Sequence, residues 1–247
     1  MSQLDLEKFK PALGDWFFKL EKIFASKQMY DLYQELKELS RQGVKVTPKS
    51  SDLWRFFKEC PPSMLKVVVI GQDPYPGMYR NGTFHADGIA FSNSYSPDGK
   101  CQPSLNSFWE GLSEDLGIEL ENKHDLKFLA NQGVLLGNRA LACKLNKTGS
   151  LMGQFDFFWE FFLQEIMPGF NGVPIILVGK DAQQLRRYCF EFANPVFQIT
   201  HPSFAARKNE TWDTEKVFFK VQTILKHNNN ETIDWTGKNP ATEQDPF

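Results

Sequence analysis

Four short runs of apolar residues lie along the middle of the chain, separated by segments with helical periodicity. The runs are Lys66–Ile70, Gly133–Leu136, Pro174–Val178 and Val196–Thr200. Continuous apolar runs of this length are typical of parallel strands that helices cover on both faces. The pattern therefore predicts a three-layer α/β/α sandwich around a central four-stranded, mainly parallel sheet.

Helical periodicity is clearest in the segment that follows the first run. Apolar side chains recur there at spacings of three and four from Leu105 to Leu116, with Ser104 as the expected N-cap and Gly117 as the expected stop. Further helices are predicted at Phe155–Ile166, Ala182–Phe192 and Val217–Leu225. The alternation of helices with apolar runs favours parallel strands joined by helical crossovers.

The two ends of the chain differ from its middle. Residues 1 to about 27 form an irregular amphipathic segment that is expected to pack on the main body through Phe9, Trp16, Phe17, Leu20 and Phe24. The tail, about 228–247, is polar and predicts a surface extension. No internal repeat or Gly/Ser-rich linker interrupts residues 1–247, so the sequence predicts a single domain.

Composition narrows the class of protein. Hydrophobic residues make up 41% of the 247 residues, which is enough for a sizeable core and excludes a disordered chain. The apolar runs are far shorter than the roughly 18 residues of a membrane-spanning helix, and the polar, acidic N-terminus does not resemble a targeting sequence. A soluble protein without membrane association is therefore expected in the reducing cell interior: cytoplasmic, or nuclear if the source is eukaryotic.

The four cysteines, Cys60, Cys101, Cys143 and Cys189, lie about 40 residues apart and form no CxxC pair. Free, buried thiols are the simplest interpretation in a chain of this length. Four thiolates could also hold an iron–sulfur cluster, although the spacing argues against one. No metal site is predicted.

The charge balance does not have the basic excess typical of a nucleic-acid-binding protein. Lys and Arg number 28 against 30 Asp and Glu, for a formal net charge of −2, and the isoelectric point is about 6.1. A protein that holds only a few phosphates through hydroxyls, backbone N–H groups and helix N-termini needs little net charge. Binding to DNA is therefore not excluded.

Polar residues directly follow three of the apolar runs. Asp73 follows the first, Asn138 the second and His201 the fourth. Because ligands of open parallel sheets bind at the carboxyl ends of the strands, these side chains are expected to share one site. A carboxylate in a stiff Pro-bounded turn can orient a water or face a developing cation. A carboxamide can read the edge of a base, and an imidazole can act as a general base or donate a hydrogen bond to a leaving group.

Each of these residues also has a purely structural interpretation. Asp73 could form or cap its own turn, Asn138 could cap the turn after its strand, and His201 could be a satisfied structural residue. Phe91 could belong to the core, like most of the 23 phenylalanines, or it could stack on a base beside Asn138. The occurrence of three such side chains at equivalent strand ends favours the functional interpretation.

A family resemblance is carried by five motifs in a fixed order. They are Gly71–Gly77 (GQDPYPG), Gly88–Ser92 (GIAFS), Gln102–Leu105 (QPSL), the strand that ends in Asn138, and His201–Ser203 (HPS). In this order they resemble the motifs of family 1 uracil-DNA glycosylases. The resemblance runs from about residue 50 to Trp235, where Ile233–Trp235 (IDW) is similar to the family's ending. GQDPY followed downstream by HPS is highly specific, whereas either motif alone is weak.

The resemblance implies an activity as well as the α/β/α fold. The chain would be a monofunctional DNA repair hydrolase that flips deoxyuridine out of DNA, hydrolyses the N-glycosidic bond, releases uracil and leaves an abasic site. Its substrate would be uracil-containing DNA, single- or double-stranded, and it would need neither a metal nor an organic cofactor. It is expected to be a monomer, and a proteinaceous glycosylase inhibitor is an expected partner.

The resemblance also implies roles for individual residues. Asp73 would orient the water and stabilise the oxocarbenium-like sugar, and His201 would stabilise negative charge developing on uracil O2. Ser104 and Ser203 would contact phosphates beside the flipped nucleotide. Four residues would bind uracil: Gln72 through its backbone, Tyr75 against C5 so that the methyl group of thymine is excluded, Phe91 by stacking, and Asn138 by hydrogen bonds to the polar edge.

The chain departs from the family pattern at three places. Pro76 stands where many members have His, and Gly137 stands where the strand usually has a third Leu. After Ser203 the family usually continues Pro-Leu, with the Leu as the wedge that enters the duplex, whereas this chain has Phe204 and Ala205. Ala205 is at the aligned position but buries too little surface, so Phe204 is expected to act as the wedge or to pack at the duplex rim. The alternative is that Phe204 only packs into its own loop.

The remaining predictions concern the DNA surface and the competing functions. Arg207 and Lys208 are expected to hold phosphates near the wedge, and Pro76 is also expected to face DNA. Other glycosylases of the superfamily, the iron–sulfur and mismatch-specific types, are alternatives, but they lack an Asp-Pro-Tyr after the first strand. A catalytically idle module that only grips uracil or DNA is another alternative, against which the presence of Asp73 and His201 argues.

Overall fold

The computed structural model describes residues 4–228 and 232–237. The strands in these residues are β1 (Val46–Thr47), β2 (Val67–Gly71), β3 (Val134–Asn138), β4 (Cys143–Lys144), β5 (Ile175–Val178) and β6 (Val196–Ile199). The α-helices are α1 (Lys10–Leu13), α2 (Phe17–Phe24), α3 (Lys27–Arg41), α4 (Arg55–Lys58), α5 (Pro103–Leu116), α6 (Lys127–Ala130), α7 (Asp156–Phe161), α8 (Gly179–Gln183), α9 (Pro202–Lys208) and α10 (Val217–His227). Most of the predicted polar tail, residues 229–231 and 238–247, lies outside the described residues.

Four of the strands form one parallel sheet in the order β3-β2-β5-β6. Val67 of β2 lies opposite Val134 of β3, and Ile175 of β5 lies opposite Val196 of β6. Every side chain of β2 and β5 is buried, as expected for central strands with helices on both faces. Each predicted apolar run matches a strand within two residues at either end. The predicted α/β/α architecture is therefore confirmed.

One hydrophobic cluster connects the sheet with the helices around it. It includes residues from Leu13 near the start of the chain to Trp235 near the end of the described part. Its centre is rich in aromatic rings, such as Trp54 and Phe158, whose ring centroids lie 4.9 Å apart. Within residues 4–228 and 232–237, no helix combines the length and the apolar character needed to cross a bilayer.

The third predicted helix ends earlier than its periodicity suggested. α8 continues as a 3-10 helix only to Tyr188, and Phe192 is 89% exposed instead of packing in the core. The chain then turns back toward β6, and the buried Asn194 side chain just before that strand donates hydrogen bonds to the carbonyls of Phe170 and Val173. The second predicted helix has its expected extent, but α7 changes into one π-helical turn at Phe162–Ile166.

α5 begins without Ser104 as its N-cap. Gln102 occupies the N-cap position with an extended backbone and makes no side-chain cap hydrogen bond, and Pro103 takes the first helical position, which its fixed φ suits. The Ser104 hydroxyl instead donates to the Tyr75 hydroxyl at 3.1 Å. Gly117, with φ of 66°, ends the helix as predicted.

The residues before β2 form a helical layer that the sequence predicted only in part. Four of the apolar side chains expected to pack on the main body are buried: Trp16, Phe17, Leu20 and Phe24. α3 was not predicted, although Ser26 is a regular N-cap whose hydroxyl accepts a hydrogen bond from the Met29 N–H. β1 and β4, which pair as a short antiparallel ribbon, were not predicted either.

Candidate active site

A cavity of about 660 Å³ opens at the carboxyl ends of the four parallel strands. Most of the residues predicted for the site line it: Gln72, Asp73, Tyr75, Pro76, Phe91, Ser104, Asn138, His201, Ser203, Phe204 and Arg207. Ala205 and Lys208 do not. Because the strands are parallel, the loops that follow them meet at the same edge of the sheet. Topology thus brings the carboxylate, the carboxamide and the imidazole to one cavity.

Asp73 is held by a distant part of the chain. Its Oδ2 accepts a hydrogen bond of 2.6 Å from the backbone N–H of Gly149, 76 positions further along, so this contact is not a cap of its own turn. Burial raises the pKa of Asp73 from 3.8 to about 6; the Gly149 hydrogen bond opposes the rise, and the charge of Asp181 adds to it. The result is a carboxylate that is ionised at neutral pH but poorly solvated.

The His201 imidazole has one of its two ring nitrogens fixed. Nδ1 accepts a hydrogen bond from the Ser203 backbone N–H at 3.1 Å, which makes His201 the N-cap of α9. The Ser203 hydroxyl also lies 2.8 Å from Nδ1. Burial, and then the charge of Arg207, lower the pKa of His201 from 6.5 to about 4. A neutral ring whose Nδ1 accepts carries its proton on Nε2, which is left free to donate.

The side chains of Asn138 and Phe91 both lie close to the backbone of Gly71. A β-carbon built on Gly71 would lie 2.6 Å from Asn138 Oδ1 and 3.3 Å from Phe91 Cζ, so only glycine leaves this space open. The Asn138 carboxamide has no hydrogen-bond partner within residues 4–228 and 232–237, so it does not cap the turn after β3 there. The centroids of the Phe91 and His201 rings are 5.6 Å apart. The cavity therefore presents an apolar ring close to both a carboxamide and an imidazole.

The Phe91 ring is held in place through its backbone. Phe91 has a φ of 67°, in the left-handed region, which costs a non-glycine residue roughly 1–3 kcal/mol. The Tyr75 hydroxyl donates to the Phe91 carbonyl at 2.8 Å and accepts from Ser104. Burial raises the pKa of Tyr75, so the phenol stays protonated and able to donate. Tyr75 thus supports the ring in addition to lining the cavity.

A buried ion pair holds the loop that carries Phe91. Asp87 is fully buried and accepts hydrogen bonds from the Ile89 N–H at 3.0 Å and the Ser92 hydroxyl at 2.6 Å. The Arg55 guanidinium lies 3.0 Å from its carboxylate. A buried carboxylate with this many partners is satisfied, and it fixes the backbone on both sides of Phe91.

Packing against α7 explains the glycine at the end of β3. A β-carbon on Gly137 would lie 2.8 Å from the Trp159 ring and 3.1 Å from the Phe56 ring. The Trp159 indole N–H donates to the carbonyls of Asn138 at 3.0 Å and Arg139 at 3.1 Å. Trp159 therefore fills the space that a larger residue at Gly137 would take, and it fixes the backbone that carries Asn138.

α9 forms one side of the cavity mouth. Phe204 is 52% exposed, and the Lys208 ammonium lies 4.6 Å from the centroid of its ring. Ala205 is only 7% exposed and belongs to the hydrophobic core. The contact of Ala205 with DNA stays a prediction, and only a small part of its surface is open to make it. Ser104 is equally buried at 7%, although it lines the cavity.

Further polar side chains that the sequence did not predict line the cavity: Thr148, Lys180, Asp181 and Gln183. Gly149, the partner of Asp73, was also missed. It lies in a turn after β4, where the Ser150 hydroxyl accepts a hydrogen bond of 2.7 Å from the Lys144 N–H. The run Asn146–Ser150 (NKTGS) does signal a turn, but no local pattern indicates which distant residue the turn contacts.

The cysteines are free thiols in the described part of the chain. Burial raises the pKa of Cys60 and Cys143 to about 12 and that of Cys101 and Cys189 to about 11. Protonated thiols are poor metal ligands. Among the described residues, no three His, Cys, Asp or Glu side chains are placed to hold a metal ion together.

Known proteins resemble the chain over almost its whole length. The family model described as "Uracil DNA glycosylase superfamily" matches residues 57–225. A protein named uracil-DNA glycosylase from Bacillus pumilus is 31% identical over 234 residues, covering 92% of this chain and 97% of its own. The crystal structure of mimivirus uracil-DNA glycosylase has the same fold, with a TM-score of 0.83 at 21% identity over 94% of this chain and 90% of its own. A variant of that mimivirus protein in complex with UGI also has a TM-score of 0.83, at 20% identity over 94% of this chain and 91% of its own.

Proposed function

This chain belongs to the uracil-DNA glycosylase superfamily and removes uracil from DNA as a repair enzyme, and we propose that it does so as a family 1 enzyme. Deoxyuridine is flipped out of the strand into the cavity, where its N-glycosidic bond is hydrolysed. One observation carries this proposal: a poorly solvated carboxylate, Asp73, and a neutral imidazole, His201, line the same cavity as the Phe91 ring and the Asn138 carboxamide.

Asp73 acts on the sugar. As the C1′–N1 bond breaks, its electron pair goes to N1 of uracil and the deoxyribose gains oxocarbenium character. A carboxylate that has lost much of its hydration stabilises this cation strongly. Water then bonds to C1′ and gives a proton to Asp73, which leaves the abasic sugar. The Gly149 N–H holds Oδ2, so Oδ1 is the oxygen that bonds the water.

His201 acts on the leaving uracil. Its Nε2–H donates a hydrogen bond to O2 as negative charge develops there, while the Ser203 backbone holds Nδ1. Because burial lowers the pKa of His201 to about 4, the ring is neutral at pH 7. It therefore stabilises the uracil anion by hydrogen bonding, and the anion takes its proton from solvent after release.

Uracil is recognised through its face and its polar edge. Phe91 stacks on the ring, Asn138 pairs its amide with the N3–H and O4, and Gln72 contributes its backbone. Cytosine presents the reversed donor and acceptor at N3 and N4, so it would leave the Asn138 amide unpaired. Tyr75 lies against C5 and leaves no room for the methyl group of thymine.

The mouth of the cavity contacts DNA. Phe204 is the apolar side chain that fills the space left by the flipped base. Two observations support this role: its ring is exposed, and the Lys208 ammonium packs on it. Arg207 and Lys208 hold phosphates nearby. Phosphate contacts from Ser104 and Ser203 and a DNA contact from Pro76 complete this surface.

The finer assignments concern partners and location. The solved complex of a mimivirus relative with UGI supports an inhibitor protein as a partner of this chain. We propose that the enzyme acts as a monomer on single- or double-stranded DNA. A cytoplasmic location is supported by bacterial relatives such as the Bacillus pumilus protein.

Uracil release from a labelled oligonucleotide tests the proposal. Wild-type protein should release uracil, and Asp73→Asn should lose on the order of 10²-fold in single-turnover rate while it still binds the strand. A wild-type rate from Asp73→Asn would contradict the assigned role. Binding without release by the wild-type protein would identify an idle binding module, and absorbance at about 400 nm would identify the iron–sulfur type.

A further inference from the structure

One hydroxyl in the cavity differs from the others in having no partner. The Ser and Thr residues that line the cavity are Ser92, Ser104, Thr148, Thr200 and Ser203. All but one are hydrogen-bonded inside the protein: Ser92 to Asp87, Ser104 to Tyr75, Thr200 to Trp212 and Ser203 to His201. The Thr148 hydroxyl has no hydrogen-bond partner within the described part of the chain. It is therefore available to a ligand or a water in the cavity.

Thr148 is also held beside Asp73. It directly precedes Gly149, whose N–H is 2.6 Å from Asp73 Oδ2. The turn that carries both is anchored at its start by the Asn146 N–H, which donates to the Pro76 carbonyl at 2.8 Å. Thr148 lines the same cavity as Asp73, so a water between the two residues can bridge their side chains.

A water that attacks the sugar needs two acceptors. Its lone pair must point at C1′, so both of its protons must be donated elsewhere. Asp73 supplies one acceptor, because its other oxygen is bonded to Gly149. Pro76, the neighbouring residue of the lining, has no polar side-chain atom. A second acceptor is therefore required. Gln72 and Asp181 also line the cavity with acceptor side chains, but the Thr148 hydroxyl is carried by the same turn as the Gly149 N–H that holds Asp73.

We propose that Thr148 is a further catalytic residue, whose Oγ accepts one proton of the attacking water while Asp73 Oδ1 accepts the other. The inference rests on the proposed role of Asp73. In the step itself the water oxygen bonds to C1′, the C1′–N1 electron pair leaves with uracil, and the proton facing Asp73 is transferred to the carboxylate. The Thr148 hydroxyl orients the water and neither gains nor loses a proton.

Single-turnover cleavage of a uracil-containing oligonucleotide at saturating enzyme tests this role. Thr148→Val keeps the shape but removes the acceptor, so the rate should fall about five- to tenfold. Thr148→Ser keeps the hydroxyl and should stay within about twofold of wild type. Thr223→Val is the matched control, because Thr223 is exposed on α10 and its hydroxyl bonds only the Phe219 carbonyl. Affinity for DNA with a non-hydrolysable 2′-fluoro deoxyuridine should be unchanged in all three variants.

A double-mutant comparison separates water orientation from a structural effect. If both side chains act on the same water, Thr148→Val should cause no further loss in the Asp73→Asn background. Rate losses that multiply, a Thr148→Ser rate as low as that of Thr148→Val, or a Thr148→Val rate equal to wild type would each overturn the proposal. If Asp73→Asn alone kept the wild-type rate, the proposed role of Asp73 would fail, and the role of Thr148 would fail with it.

Discussion

Replacing Asp73 by Asn should stabilise the folded protein at neutral pH even though it removes activity. Burial raises the pKa of Asp73 from 3.8 to about 6, so the folded state holds the charge less readily than the unfolded chain. The favourable contribution of Asp73 is present in full below pH 3.8 and is lost as the pH rises through about 6. A pKa difference of about 2 between the folded and unfolded states corresponds to at most about 3 kcal/mol in the free energy of unfolding. Because solvent reaches part of the carboxylate, we expect about 1–2 kcal/mol.

Urea denaturation of wild type and Asp73→Asn at pH 4 and pH 8 measures this effect. The free energy of unfolding of the variant, relative to wild type, should rise by about 1–2 kcal/mol between the two pH values. Asp15→Asn, at an exposed aspartate, is the matched control for the chemical change. A difference between variant and wild type that is the same at both pH values would refute the reasoning. So would a variant that loses stability relative to wild type as the pH rises.

Four further variants test the cavity and its mouth. Gly71→Ala places a β-carbon 2.6 Å from Asn138 Oδ1, so titration with free uracil should show at least about a tenfold loss of affinity while the melting temperature changes little; unchanged affinity would contradict the pocket assignment. Phe204→Ala should slow excision from duplex DNA and leave single-stranded excision unchanged, and equal losses on both substrates would exclude the wedge role. Asn138→Asp should begin to release cytosine and Tyr75→Ala thymine in base-release assays, and no gain by either variant would count against these contacts.

The sheet was predictable from the sequence because buried parallel strands leave an unbroken apolar run. The ends of helices were less predictable. Phe192 continues the apolar periodicity of its helix, but the helical turns already end at Tyr188, and Asn194 beyond it bonds the carbonyls of Phe170 and Val173. Serine is a favoured N-cap residue, yet α5 begins one residue earlier at Pro103, and the Ser104 hydroxyl donates a hydrogen bond to Tyr75 instead. At both helix ends the boundary therefore differs from the one that local periodicity and cap preference predict.

The candidate site was also predictable only in part. The strand-end positions of Asp73 and His201 follow from the topology of a parallel sheet, so the sequence predicted that they would share an edge. The Gly149 N–H that holds Asp73 comes from 76 residues away, and no periodicity or motif connects the two. Burial of Ala205 was also not predictable, because the aligned position alone does not show which face of α9 meets the core.

The pH dependence of single-turnover uracil excision tests the central chemistry most directly, namely an ionised Asp73 working with a neutral His201. Burial raises the pKa of Asp73 to about 6 and lowers that of His201 to about 4. The rate should therefore rise about tenfold per pH unit up to about pH 6 and then remain level through pH 9, and Asp73→Asn should abolish the rise. A rate that falls as the pH increases from 6 to 8 would mean that His201 must be protonated, and a level rate down to pH 4 would mean that Asp73 need not be ionised. Either result would contradict the account.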